Sequence, residues 1–195
     1  MSLKKERTRE RILDAAYKLF AKNGFKYVTM KDICQVTNLS RGGLYSHFSS
    51  TRELFEAILE ELNQKEEMNF YEEMKQGVSA TQILNQALAL MEEEMNHPED
   101  SLSLALYEYA GSGENDFVES FIKCGEEKWT ALIHYGIERG EFHAVNVYEI
   151  VNIILYAYQG IRMWSCIVSI NRETNESVIS YIKKQLIKER NDHGK

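Results

Sequence analysis

Thr29-Met-Lys-Asp-Ile-Cys-Gln-Val-Thr-Asn-Leu-Ser-Arg-Gly-Gly-Leu-Tyr-Ser-His-Phe48 is the stretch whose reading decides the fold. Thr29-x-x-Asp32 is a capping-box start, and Ile33 and Val36 fall at helical spacing facing inward, which predicts a short helix. Thr37-Asn38-Leu39 is a break of only a few residues. Ser40 can then cap a second short helix running through Leu44 to Phe48. Ahead of both, Ile12, Leu13, Ala16, Leu19 and Phe20 recur at helical spacing, and Asn23-Gly24 supplies a stop. Two short helices joined by a tight turn, with a supporting helix in front, make a helix-turn-helix.

Working outward, the pattern stays helical. Ser50-x-x-Glu53 opens a long helix with Leu54, Phe55, Ile58 and Leu62 on one face, expected to continue to about Lys75 before Gly77 ends it. Ser79-x-x-Gln82 caps a helix bearing Ile83, Leu84, Ala87, Leu88, Met91 and Met95, stopped by Pro98. Leu102, Leu106 and Ala110 mark a shorter helix that breaks at Gly111-Ser112-Gly113. Phe117, Phe121, Trp129, Leu132, Ile133 and Ile137 mark the next, ended by Gly140. Ile150 to Ile170 is apolar nearly all round, so burial on every side is expected. Val178, Ile179, Ile182 and Leu186 give a last amphipathic helix. With no strand period and no internal repeat, the reading is all-α, about nine helices: a helix-turn-helix head over residues 1–50 and a helical domain over 51–195.

Charge is unevenly divided between these parts. Residues 1–55 carry 11 Lys+Arg against five Asp+Glu, whereas residues 56–195 carry 12 against 25, within a net charge of −7. A basic head binds polyanions by releasing their counterions, and a basic helix kept soluble by its charge is the other explanation. The 195 residues are 44% hydrophobic and 27% charged with one Pro, which excludes a collagen, a disulfide scaffold and a membrane protein. No stretch nears the ~18 apolar residues of a membrane span, and no apolar core follows the basic N-terminus as a secretory signal requires. Cys34, Cys124 and Cys166, an odd number with no CxxC, argue for reduced thiols in the cytoplasm.

Enzyme chemistry finds no foothold. His97, His134, His143 and His193 have no partner at metal-ligand spacing, and no GxSxG, HExxH or phosphate loop occurs. Glu92, Glu93 and Glu94 point in different directions on a helix and read as a solvated face. The expectation is a protein that is not an enzyme, with no metal and no cofactor.

In a helix-turn-helix the second helix enters the major groove with its N-terminal residues at base edges. Arg41 occupies that position and could donate a bidentate pair to guanine. Gly42 and Gly43 each cost up to ~1 kcal/mol in a helix interior, which makes sense if either DNA or the first helix must come close.

The run from Thr29 to Phe48 resembles the DNA-binding signature of TetR-type transcriptional regulators. The specific part is Ser40-Arg41-Gly42-x-Leu44-Tyr45-x-His47-Phe48 followed by Glu53-Leu54-Phe55, and the likeness is strong over about residues 8–60. It implies that Thr29 holds a phosphate through its hydroxyl and backbone N–H, and that Tyr45 and His47 contact phosphates. Ser40 would cap the recognition helix, and Arg41, Gly42, Gly43 and Ser46 would face the bases. Leu44 and Phe48 would be core. Cys34 stands where the family usually has Ala and is expected to be a small buried hydrophobe. Thr51 stands where the family commonly has a phosphate-contacting Lys, and its neighbour Arg52 could take over that contact. Asn38 replaces the usual turn Gly and tolerates the left-handed conformation.

Residues 80–170 are rich in aromatics and Met. Domains of this resemblance hold a small-molecule pocket among the middle helices, and pockets are mainly apolar with a few placed polar groups. The candidate effector contacts are Met91, Tyr107, Glu108, Trp129, Tyr158, Gln159, Arg162 and Met163. Glu108, Gln159 and Arg162 are polar positions in apolar helices, and each needs a partner if buried: a ligand, a dimer mate or a neighbouring helix. Gly160, in mid-helix, points to a close helix approach or ligand contact. The last two helices are expected to pair with their copies in a homodimer, placing two recognition helices one duplex turn apart. The resulting expectation is a cytoplasmic, ligand-responsive repressor. It would be released from a pseudo-palindromic operator on double-stranded DNA by an apolar or aromatic effector, with no membrane partner. The alternative keeps the DNA binding and makes the second domain a protein-interaction or constitutive dimerisation module.

Overall fold

A computed structural model of the chain describes residues 3–64, 70–113 and 116–188. Among them lie ten α-helices and a 3-10 turn at Pro98–Asp100. The helices are α1 (Leu3–Asn23), α2 (Met30–Thr37), α3 (Arg41–Tyr45), α4 (Thr51–Gln64) and α5 (Phe70–Lys75). They continue with α6 (Ala80–Asn96), α7 (Ser103–Ala110), α8 (Asp116–Glu138), α9 (Val147–Ser165) and α10 (Arg172–Leu186). The expected helix from Thr51 to about Lys75 is described as two segments, α4 and α5, and residues 65–69 lie outside the described residues. No strand occurs among the described residues beyond an isolated antiparallel bridge between Phe142 and Ile187.

The backbone divides into two compact units. The first comprises Met1–Lys65 and Glu99–Phe121, the second Glu66–Pro98 and Ile122–Lys195. The first unit is therefore discontinuous in sequence: α7 and the first turns of α8 complete it. Its core gathers Ile12, Ala16 and Phe20 of α1, Ile33 of α2, Leu44 of α3, Phe48, and Leu54, Phe55, Ile58 and Leu59 of α4, with Ala105 and Tyr109 of α7. Phe20, Phe25, Phe55 and Tyr109 interlock as a ring cluster with centroids 5.0–5.9 Å apart, Phe20 stacked on Phe25 and the other pairs edge-on or tilted. α7 also fastens the turn between α1 and α2. Glu108 accepts a hydrogen bond from the Lys26 amide at 2.9 Å, and Gly24, at φ +75°, lies so close to that carboxylate that a Cβ would overlap it.

In the second unit, α6, α8, α9 and α10 bury Leu84, Leu88, Met91, Trp129, Leu132, Ile133, Ile150, Ile154, Ile179, Ile182 and Leu186 against one another. The side chain of Phe142 plugs the gap beside Gly136, where any Cβ would fall 2.2 Å from its ring. Asn175, buried in this core, donates to the Met95 carbonyl and the Asn96 side chain.

Two helix faces differ from what residue spacing predicts. Val36 is exposed rather than inward, because an eight-residue helix has room for only one buried row, occupied in α2 by Ile33 and Thr37. α9 is not buried all round within the chain. Ile150, Val151 and Ile154 face the core, while Ile153, Tyr156 and Trp164 are exposed.

Candidate nucleic-acid interface

The head is built by caps. Thr29 is the N-cap of α2: its side chain accepts from the Asp32 amide at 3.3 Å, and Asp32 accepts in return from the Thr29 amide at 2.9 Å. The Thr29 hydroxyl donates to the same carboxylate at 2.5 Å, and these bonds hold the exposed Asp32 carboxyl below the usual range. Both donors expected to reach a phosphate are thus engaged inside the cap. At the other end of α2, Asn38 takes φ 52°, ψ 32°, the sole positive-φ residue besides glycine among those described. That left-handed C-cap turns the chain into Ser40 as the turn reading requires. Arg11 reinforces this end, donating to the Thr37 carbonyl at 3.3 Å, where a cation complements the helix dipole.

Ser40 caps α3 by accepting from the Gly43 amide at 3.1 Å. α3 is a single turn and a half, so its two sides are sharply sorted. Leu44, and Phe48 just beyond, are buried in the core, whereas Arg41, Gly42, Tyr45 and Ser46 are exposed together. The Ser46 hydroxyl donates back to the Gly43 carbonyl at 2.7 Å, which leaves its lone pairs outward. A Cβ on Gly42 would meet nothing within 4 Å, so no packing helix accounts for that glycine. A Cβ on Gly43 would press on the Ser40 hydroxyl at 3.2 Å, which explains the second glycine by the cap itself. Cys34 is half-buried against the core rather than enclosed by it.

His47 is half-buried beside α1. Burial first, then the positive charges of Lys5 and Arg9, hold its imidazole below the usual range. The Arg9 guanidinium lies 4.9 Å above the Phe48 ring, a contact that residue spacing did not reveal. Thr51 opens α4 half-buried. Arg52 is engaged within the first unit. It donates to the Tyr109 hydroxyl and the Ser112 hydroxyl, both at 3.1 Å, stacks 4.9 Å over the Tyr109 ring, and lies 3.8 Å from Glu56. Tyr109 in turn donates to Glu56, and burial together with that carboxylate pushes its phenol up to about 12. Nothing local in the sequence announces a bond spanning 57 residues.

The eight candidate effector residues fall in both units. Tyr107 (69% exposed) and Glu108, occupied by the Lys26 amide, belong to the first. Met91, Trp129, Tyr158, Gln159, Arg162 and Met163 belong to the second. Met91 and Trp129 are buried, with the Trp129 ring edge-on to Phe70 at 5.3 Å. Arg162 donates to the Tyr158 hydroxyl at 2.7 Å, covers that ring at 4.8 Å and stands 3.9 Å from Glu94, while its buried Nε has no hydrogen-bond partner. Gln159 and Met163 are half-buried on the same helix.

On the outer side of α9, Ile153, Tyr156 (68% exposed), Gly160 and Trp164 (59%) recur at helical spacing, and Tyr181 of α10 is exposed as well. A Cβ on Gly160 would meet nothing within 4 Å, so the chain's own helices do not demand that glycine.

Comparison with known proteins agrees with the head's geometry. Residues 12–58 match the family described as bacterial regulatory proteins, tetR family. The HTH-type transcriptional regulator YfiR of Bacillus subtilis is 29% identical over 146 residues, covering 72% of this chain and 71% of that protein. The HTH-type transcriptional regulator UidR of Escherichia coli is 44% identical over 59 residues, 30% of each chain. A TetR-family regulator from Agrobacterium tumefaciens has the same fold, with a TM-score of 0.78 at 15% identity over 94% of this chain and all of its own. The relatives are regulators and not enzymes, and no helix among the described residues is long and apolar enough to cross a membrane. The capped helix-turn-helix with its polar outer face is, over residues 12–58, that of the bacterial regulatory proteins, tetR family, and 94% of the chain shares the fold of a TetR-family transcriptional regulator.

Proposed function

We propose that this regulator is a cytoplasmic homodimeric repressor that grips a pseudo-palindromic operator and is released by a small apolar or aromatic effector. One observation carries the DNA contacts: α3 buries Leu44 and leaves Arg41, Gly42, Tyr45 and Ser46 outward, with open space at Gly42. In this reading Arg41, Gly42, Gly43 and Ser46 face the bases, and Tyr45 and His47 donate to phosphates. Ser40 and Thr29 act as caps, Thr29 because its donors are already held by Asp32. Arg52 is assigned to the α4–α7 junction.

The exposed Ile153, Tyr156 and Trp164, with the half-buried Gly160 between them and Tyr181 of α10, support dimerisation through α9 and α10. Exposed apolar patches of this kind mark association surfaces, and a glycine lets the copies approach closely. For the effector, the supporting residues are Met91, Trp129, Tyr158, Gln159, Arg162 and Met163; Tyr107 and Glu108 are left out because of their exposure and bonding. Effector release requires tighter binding to the form that does not hold DNA, with ~1–3 kcal/mol of coupling typical. The edge-on packing of Trp129 on Phe70 favours a second reading, in which the second unit is a closed dimerisation module without effector.

Selection from a random duplex library tests the first part. Two half-sites about 34–36 Å apart are expected, and a single unpaired half-site would refute the dimeric grip. Titrating operator-bound protein with small aromatic compounds, reading Trp129 fluorescence in a Trp164→Phe background, tests the second. Quenching together with release supports an effector, and release by none of them supports the closed module.

A further inference from the structure

A head that binds DNA has to bring cations to the phosphates, yet the positions expected to do so bring none. Thr51 is uncharged. Arg52 is tied to Tyr109, Ser112 and Glu56. His47 is kept below its usual range by burial and by its basic neighbours. Arg11 is bonded to the Thr37 carbonyl.

What remains near His47 is the first part of α1. Lys5 and Arg9 are four residues apart on one face of that helix, and both charges act on His47. Arg9 is half-buried with its guanidinium 4.9 Å over the ring of Phe48, the residue that follows His47. A ring beneath a guanidinium fixes its plane while leaving its N–H edge available, the arrangement that suits bidentate phosphate recognition. Glu53, the carboxylate that also feels Arg9, is bonded to the Ser49 amide at 2.7 Å and the Ser49 hydroxyl at 2.6 Å.

We propose that Lys5 and Arg9 of α1, positioned beside His47 and Phe48, supply the phosphate-neutralising charge that Thr51 and Arg52 do not. The assignment rests on the reading of the α3 face as the DNA surface. It replaces a lysine at the start of α4 by an arginine held on α1.

The test is the salt dependence of binding to a random-sequence duplex about three helical turns long, which needs no knowledge of the operator. Anisotropy is read from about 50 to about 200 mM salt, and each neutralised phosphate contributes a log–log slope of roughly 0.9. Arg9→Gln should lower the slope by about that amount per protomer, Arg9→Lys should keep it, and adding Thr51→Lys to Arg9→Gln should restore it. Arg52→Gln should leave it unchanged. Lys5 is exposed, so Lys5→Gln repeats the measurement without disturbing the packing on Phe48. Unchanged slopes in both Arg9→Gln and Lys5→Gln, with a steep parent, would overturn this assignment alone. A flat parent slope would overturn the electrostatic grip of the head and this assignment with it.

Discussion

α3 and α9 are both half-buried helices, and what each leaves outside differs in kind. The outer side of α3 offers Arg41, Gly42, Tyr45 and Ser46: small or hydrogen-bonding groups around an unobstructed backbone. The outer side of α9 offers Ile153, Tyr156 and Trp164, large apolar groups around an equally unobstructed Gly160. The inner sides are alike, Leu44 and Phe48 in one case and Ile150 and Ile154 in the other. Burial therefore explains the inner residues, and only the outer ones distinguish the surface proposed for a polyanion from the surface proposed for another copy of the chain.

The sharpest way to break this comparison is to place a charge on each side of α9. Ile154 is fully enclosed, so Ile154→Asp should unfold the second unit at a cost on the order of 3–5 kcal/mol. Trp164→Glu should leave it folded by circular dichroism and bring the sedimenting mass from twice 22.7 kDa to 22.7 kDa. A folded Trp164→Glu dimer would remove the proposed pairing face. The same division is predicted on the head. Phe48→Ala should cost about 3–5 kcal/mol of stability in a denaturant titration. Arg41→Ala should leave stability unchanged and cost about 1–3 kcal/mol of operator affinity, relaxing one base per half-site. Uniform weakening across all sequences would assign Arg41 to phosphate instead.

Tyr109 gives a pH test of the same unit. Its phenol is raised from 10 to about 12, so the folded state favours the protonated form. The stabilisation is present below pH 10 and is lost as pH rises from about 10 to about 12. An ultraviolet titration should show one tyrosine ionising last, and Tyr109→Phe should abolish that step. The smallest effect is expected from Tyr45→Phe, which removes one exposed hydroxyl: a loss of about 0.5–1.5 kcal/mol in DNA affinity, equal for all sequences.

The parts of this molecule that were legible in its sequence are those that residues a few positions apart decide. Thr29 with Asp32, Ser40 with Gly43 and Ser79 with Gln82 are bonds across three residues, and the caps form where the spacing puts them. Asn38 takes the left-handed turn for the same local reason. Ser50 caps α4 as expected, but Glu53 reaches back to Ser49, one residue earlier than a regular capping box. What stayed hidden depends on partners far along the chain. Arg52 finds Tyr109, and Glu108 finds Lys26, across 57 and 82 residues, and no periodicity encodes such pairs. The outward side of α9 is hidden for a different reason. Composition reports that every side is apolar, but which side meets its own core depends on where α6 and α10 pack, so Ile153 and Ile154 look alike until the fold separates them.

The discontinuity of the first unit also has a bearing on synthesis. Tyr17 donates to the Asp100 carbonyl and the Lys26 amide to Glu108, closing loops of 83 and 82 residues. The ring cluster around Phe20 and Phe55 lacks Tyr109 until that residue has left the ribosome. The recognition helix is encoded early yet its support arrives late, so a nascent chain shows its basic N-terminus to the cell well before it carries a finished DNA-reading surface. Chains cut short before α7 should inherit the charge without the scaffold that aims it.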